Sequence, residues 1–318
     1  MPQVCFIINS FNRAALLAQS LSSIEAIRQD PRIRLSVVIF EAGSTDGSVD
    51  TARAFQARSR DVQVTILQSQ PGEDSSFAAG LNRACAERLA AGPVDYFLAF
   101  ETDNFINGID PLLRAVALFE IESKIAAIGF TVKRRDGSPT GFGESFPTVL
   151  SFILGQRLSS LLHLDRPRIN WLHGGASIGR YSYADIVYTS PLLIRASVWS
   201  VLDGMDAKMF PFADSDLDLA FRMRSKGFRM AVLEENGVFH DNLGQLSEWS
   251  SSRTLRFHQA RYALLERHRT RFMSLLRPVL CVRHLLELVA LLMRSVSRRT
   301  GKASVRVRLL QLVWSGYR

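Results

Sequence analysis

Over the first hundred residues, short apolar runs that stop abruptly at polar residues alternate with longer stretches of helical periodicity. Val4 to Ile8 is β-rich and ends in Asn9, Ser10, Phe11, Asn12 and Arg13, and the next segment repeats Leu16, Leu17, Leu21 and Ile24 on one helical face. Leu35 to Phe40 predicts a second strand, ending in Glu41 to Gly47, with Ser44 or Thr45 placed to cap a helix running through Ala57. Val62 to Leu67 predicts a third strand, and a polar loop with Pro71, Gly72, Glu73 and Asp74 leads to a helix holding Phe77, Leu81, Asn82 and Cys85. Val94 to Phe100 is too short for a helix and too continuously apolar for a half-exposed strand, so it reads as a buried strand of a parallel sheet. Strands alternating with helices of this length predict an α/β fold with a right-handed, doubly wound, mostly parallel sheet.

The middle, about 132 to 185, is less regular and glycine-rich, and is expected to receive the second substrate. Val187 to Ile194 returns to strand character and Ser197 to Leu202 to a helix. Asp214, Ser215, Asp216 and Asp218 then crowd a helix start. Acids there stabilise the helix dipole, and Asp218 can pair with Arg222 one turn on, whereas Asp216 faces only Ala220 at that spacing. Gly237 to Phe239 predicts a short strand ending in His240, a residue type that is more often structural than a ligand when it stands alone.

In such a sheet the polar residues just past the strand ends share one edge, where ligands bind. Asn9 to Arg13, Glu41 and Glu101 to Asp103 fall there. With a strand period of two, Glu101 and Asp103 point the same way and can offer oxygens to one hard divalent cation, although two acids after a core strand also make an ordinary solvated turn. No GxGxxG follows the first strand, which disfavours a dinucleotide-binding domain.

Composition adds limits. The 318 residues are 47% hydrophobic and 22% charged, ordinary globular values that fit about two domains or one with an appendage. Three dispersed cysteines indicate neither disulfides nor zinc, and the N-terminal residues lack a basic stretch before their apolar run, so a reducing cytoplasmic setting without a secretory signal is expected. The net charge of +9 is local: from Arg253 onward 15 basic residues face 2 acidic ones, leaving 24 basic and 28 acidic before it. A basic tail without any recognisable nucleic-acid module does not predict a nucleic-acid partner.

Together these stretches resemble the family 2 inverting glycosyltransferases of GT-A fold, over roughly residues 3 to 240 and in the right order. FIINSFNR is similar to the family's first strand and nucleotide-binding turn, VVIFEAGSTDGS to its second, and FAAGLNRA to the helix whose Asn lies near the donor. FETD resembles the DxD motif that holds metal and diphosphate, ADSDLDLAFR the ED-x-D-x-x-x-R pattern, and His240 in VFHD a position that often completes the metal shell. Glu41, Glu101 and Ser215 depart from the usual Asp, Asp and Glu.

The resemblance implies donor contacts from Asn9, Phe11, Arg13, Glu41, Ser44, Asn82, Glu101 and Thr102, with Mg²⁺ or Mn²⁺ on Asp103 and His240. It implies Asp216 as catalytic base, with Asp214, Asp218 and Arg222 as support. The expected reaction moves a hexosyl or deoxyhexosyl group from a nucleoside diphosphate to a hydroxyl of a glycan or lipid-linked acceptor, in cell-envelope polysaccharide synthesis. The implied domains are 1–248, divided into a nucleotide-sugar half (1–131) and an acceptor half (132–248), and a basic helical tail (249–318). The chemistry agrees, because an acceptor hydroxyl needs a carboxylate to take its proton and the departing diphosphate needs a Lewis acid.

Two other readings exist. A catalytically silent domain of the same fold would bind nucleotide or glycan only, and Gly175 to Gly179 spells GxSxG with Ser177, Asp216 and His240 in hydrolase order. The segment before Ser177, Ile169 to His173, makes a poor core strand for a nucleophile elbow.

In the tail, Trp249 to His268 and Leu275 to Met293 read as helices. The second carries Leu275, Val279, Val282, Leu286, Val289 and Met293 on one face and Arg283, Glu287, Arg294 and Arg298 on the other. Its charges leave too short an apolar run to span a bilayer. The expectation is a peripheral helix on the anionic inner leaflet of the cell membrane. The sequence does not indicate an oligomeric state.

Overall fold

The computed structural model describes residues 1–27, 30–164, 166–241, 251–293 and 300–317. Along the first hundred residues β1 (Gln3–Ser10), α1 (Ala14–Glu25), β2 (Arg34–Glu41), α2 (Ser48–Arg58), β3 (Gln63–Gln68), α3 (Phe77–Ala90) and β4 (Tyr96–Ala99) alternate as the periodicity predicts. Then come β5 (Asn104–Ile106), α4 (Asp110–Ile121), β6 (Ile125–Phe130), β7 (Gly143–Glu144), α5 (Val149–Leu161), β8 (Leu172–His173), β9 (Arg180–Ala184), β10 (Ile186–Val187) and β11 (Leu192–Arg195). The chain continues through α6 (Ala196–Val201), α7 (Ser215–Ser225), β12 (Arg229–Leu233), β13 (Val238–His240), α8 (Ser251–His268), a 3-10 turn (Met273–Leu276), α9 (Arg277–Leu292) and α10 (Thr300–Trp314).

These elements form two compact units. The first, Met1–Glu144 with Pro167–Leu243, carries a sheet of strand order β3-β2-β1-β4-β11-β6-β12-β9-β8. β1 runs parallel to β2 and β4, and β2 parallel to β3, with Phe6, Ile8, Val37, Ile39 and Leu98 fully buried. Burial on both faces is why these strands read as unbroken apolar runs. The sheet is mixed: β11 lies antiparallel between β4 and β6, and β9 and β8 extend it antiparallel beyond β12.

The segment read as one strand from Val187 to Ile194 is two, because the chain turns at a cis Ser190–Pro191 bond; β10 pairs with β7 instead and only β11 joins the sheet. Nor do Ser44 and Thr45 cap a helix. α2 begins at Ser48 after a left-handed Gly47, and the two residues instead bond Asn12: Asn12 N–H donates to Ser44 Oγ at 2.8 Å and Thr45 N–H to Asn12 Oδ1 at 2.8 Å. Asp46 reaches across to accept from Ala14 N–H at 2.9 Å, satisfying an orphan donor at the start of α1, whose own cap residue Arg13 supplies none.

The second unit is Ser145–Arg166 with Gly244–Arg318. Residues 145–166, grouped by the sequence with the acceptor half, pack with the C-terminal helices: Phe152 shares an apolar core with Tyr262, Leu265, Met273, Leu280 and Val313. Helix α5 opens with a reciprocal cap between Thr148 and Ser151 and breaks at a left-handed Gly155. Both expected tail helices are present within the described residues, and α10 is a third that the periodicity did not single out.

Candidate active site

The strand ends deliver side chains to one edge of the first unit. The β1–β4 register stops at Ile7 opposite Ala99, so the chain past Phe100 leaves the sheet as Glu101, Thr102 and Asp103. β13 then runs antiparallel to β5 with His240 opposite Asn104, and Asp241 N–H donates to the Asp103 carbonyl at 2.8 Å. That pairing brings residues far apart in sequence together: one ligand atom each from Glu101, Asp103 and His240 lie within 4.8 Å of one another. His240 Nε2 is 3.5 Å from Asp103 Oδ1, and Arg13 Nη1 is 3.4 Å from Asp103 Oδ2.

Two carboxylates and an imidazole suit a divalent cation such as Mn²⁺ or Mg²⁺. The electrostatics fit as well. Burial and the neighbouring Asp103 raise the Glu101 pKa. Burial opposes a charged His240, but its hydrogen bond to Asp103 and the charges of Glu101 and Asp103 outweigh that and raise its pKa. A crowded acidic pair with a proton-retaining imidazole is a place where positive charge is stabilised. Glu101 is also held from the turn between β10 and β11: Thr189 Oγ1 donates to its carboxylate at 3.4 Å and Ser190 Oγ makes a short bond to the same oxygen, while Glu101 N–H donates to Asn104 Oδ1 at 2.7 Å.

The second acidic group lies at the start of α7. Asp214 occupies the cap position with φ 59°, Asp218 is buried, and Asp216 is half-buried. Burial, followed by the charges of Asp214 and Glu144, pushes the Asp216 pKa up to about 7. Leu217 N–H donates to its Oδ1 at 3.0 Å. Asp218 accepts from Arg222 Nε at 2.6 Å, as the helical spacing predicts, and Arg222 also donates to the carbonyls of Leu202 and Gly204 at 2.7 and 2.8 Å. That pair braces α7 against the turn after α6.

A model of the family described as glycosyltransferase like family 2 matches residues 2–273. The chain belongs to that family. This glycosyltransferase-family chain has no match among curated protein sequences. Solved structures share its fold at low identity. The 1–349 fragment of TarS from S. aureus superposes with a TM-score of 0.53 at 13% identity, over 98% of this chain and 69% of that one. The same fragment in complex with UDP-GlcNAc gives 0.52 at 10%, over 99% and 72%. The mannosyltransferase PcManGT from Pyrobaculum calidifontis, in complex with GDP-Man and Mn²⁺, gives 0.52 at 14%, over 99% and 82%. The fold is therefore GT-A, with a helical part after it.

Other residues expected at the donor site of this glycosyltransferase-family chain differ in what their polar atoms do. Phe11 is exposed, and Arg13 lies beside Asp103. Thr102 is buried between the two acids, and Ser44 holds the Asn12 turn. The Glu41 carboxylate is buried and accepts from the N–H groups of Gly43 and Ser44 at 3.0 Å, closing its own turn. Asn9 donates to the carbonyls of Ser76 and Phe77 at 3.3 and 3.2 Å, tying β1 to the start of α3. Asn82 is used at both ends, donating to the Met205 carbonyl at 2.7 Å and accepting from Met205 N–H at 2.8 Å. Both amides tie neighbouring segments together beside the strand ends.

Ser177 is exposed in the turn of the β8–β9 hairpin, so the strand–turn–helix that a nucleophile elbow requires is absent there. Thr189, Ser190 and Glu144 were not singled out in the sequence. Their only signal is three-dimensional.

Proposed function

We propose that this chain is an inverting glycosyltransferase that moves a hexosyl or deoxyhexosyl group from a nucleoside diphosphate to a hydroxyl of a glycan or lipid-linked acceptor, with Asp216 as general base. The observation that carries the reading is the presence of two differently tuned acidic sites in one family 2 fold: a cation-compatible Glu101–Asp103–His240 cluster, and the Asp216 carboxyl with a pKa near neutrality. Acids and bases set apart by environment are how one site supports both halves of a transfer.

Glu101, Asp103 and His240 would hold a divalent ion, which supplies charge stabilisation for the departing diphosphate. Phe11, Arg13, Ser44 and Thr102 are assigned to the donor side, with Arg13 adding positive charge beside the acids. Asp216, reachable and half-buried, takes the proton of the acceptor hydroxyl while Asp214 and Glu144 keep its affinity for that proton high. Asp218 and Arg222 support it by fixing α7. Attack by the hydroxyl as the diphosphate leaves is a single displacement and inverts the anomeric centre. The basic second unit favours a location at the inner face of the cell membrane, where cell-envelope polysaccharide precursors are lipid-linked.

The test is a panel of nucleoside-diphosphate sugars with Mn²⁺ or Mg²⁺, reading nucleoside diphosphate release with Asp103→Ala as control. Release with one donor, lost in Asp103→Ala, is expected. No release from any donor while nucleotide still binds calorimetrically would make the chain a silent binding domain.

A further inference from the structure

Helix α9 buries charged and polar groups beside its core residue Leu280. Its charged and polar residues face the interior of the second unit: His284 is fully buried, and Glu287 accepts from His284 Nδ1 at 3.2 Å and from Arg306 Nε of α10 at 3.1 Å. Arg283 Nη1 donates to the Phe152 carbonyl of α5 at 2.6 Å. Despite burial, which would raise it, His284, Arg283 and Arg306 hold the Glu287 carboxyl down at about 2, so this inward ionic group is charged.

A second set of apolar residues faces outward. Leu275, Val279, Val282, Leu286, Val289 and Met293 recur every three or four positions and are 44% to 82% exposed. Leu285 and Leu292 widen the stripe, and Phe272 stands exposed at its start beside exposed Arg271. A continuous apolar face of this length on a soluble unit marks an interaction surface.

We propose that this face of α9 is a membrane-docking surface, seated in the headgroup region of an anionic lipid leaflet. The inference rests on the membrane-proximal acceptor proposed above. Charge selects the occupant. The second unit carries 17 Lys and Arg against 4 Asp and Glu, and the first unit 22 against 26. A second copy on the same face would bring two strongly cationic units together, whereas anionic lipid attracts the unit and leaves its apolar stripe to the acyl boundary. No described helix is long and apolar enough to cross a membrane, so the contact lies in the plane of the surface. Exposed Trp314 on α10 has the amphipathic ring that favours such an interface.

The experiment uses the full chain, its Val282→Ser/Leu286→Ser/Val289→Ser variant, and vesicles of phosphatidylcholine with or without about one-quarter phosphatidylglycerol. All three substitutions are at exposed positions, so the variant is expected to keep the wild-type melting curve. Co-sedimentation with anionic vesicles should fall roughly tenfold or more in the variant, and a Leu286→Trp chain should shift its emission to the blue on adding those vesicles. Equal sedimentation of variant and wild type would overturn the proposal, as would failure of the wild type to bind. So would light scattering that shows the substitutions dissociating a wild-type dimer without touching vesicle binding. Donor turnover is read on the same samples with a soluble acceptor: vesicle binding without turnover sinks the transferase reading alone, and turnover without vesicle binding sinks this one alone.

Discussion

A base for an acceptor hydroxyl must keep some affinity for protons at neutral pH, and Asp216 has it because burial, Asp214 and Glu144 all disfavour its charge. Asp216→Asn keeps the shape and cannot take the proton. Turnover should fall about 10²-fold or more with donor affinity little changed, by kinetics and calorimetry; near-normal turnover would pass the role to Asp214. In the wild type kcat/KM should climb with pH through about 7. Stability has the opposite sign. The folded carboxyl keeps its proton up to about 7 and the unfolded one releases it near 3.8, so folding takes up a proton in that window and stability falls as pH rises through it. Asp216→Asn should therefore stabilise by about 2 kcal/mol above neutrality, discounted for partial exposure, and by little near pH 4, as thermal melts at both pH values would show. Ser190→Ala removes a hydroxyl that fixes Glu101 and should weaken Mn²⁺ binding about tenfold at unchanged melting temperature; unaltered affinity would deny Ser190 that role. Glu101 and Asp103 of the cation-compatible cluster are legible because polar residues at strand exits stand out against apolar runs. Thr189 is not, since it sits 88 positions from Glu101 and only the antiparallel entry of β11 brings it near.

Among the elements, those the sequence made plain are the ones buried on both faces or striped on one. β1, β2, β3 and α1 fall within a residue or two of their predicted limits. β6 was hidden because Ala126, Ala127 and Gly129 dilute its strand signal, and the glycine is required: a Cβ there would stand 2.1 Å from Val187 Cγ1. Ser44 and Thr45 do not cap α2 for a related reason, since both are bonded to Asn12 of another loop. The amides of Asn9 and Asn82 each join two segments through hydrogen bonds. Asn82→Ala should lower the unfolding free energy by about 1–3 kcal/mol in urea denaturation, because it strands the buried N–H of Met205 and leaves the Met205 carbonyl to Ala207 N–H. Donor affinity should be unchanged. Lost affinity at full stability would return Asn82 to the donor site.

For the whole molecule, charge and packing divide the chain differently from its order. Residues 145–166 leave the first unit to join the C-terminal helices, a pairing over about a hundred residues that local periodicity cannot reveal. The mixed sheet has a further consequence for taking the protein apart. Among the described residues β11 is the strand that joins β4 to β6, so a fragment of residues 1–131 contains both of those strands and lacks the piece between them. Expressed alone, that fragment would present naked hydrogen-bonding edges on one side of β4 and on both sides of β6, the template on which chains stack into aggregates. It should be recovered in inclusion bodies, and a synthetic peptide spanning 186–196 added during refolding should restore part of its solubility. A soluble, monomeric 1–131 fragment would show that the seam is dispensable and that the halves are separable modules.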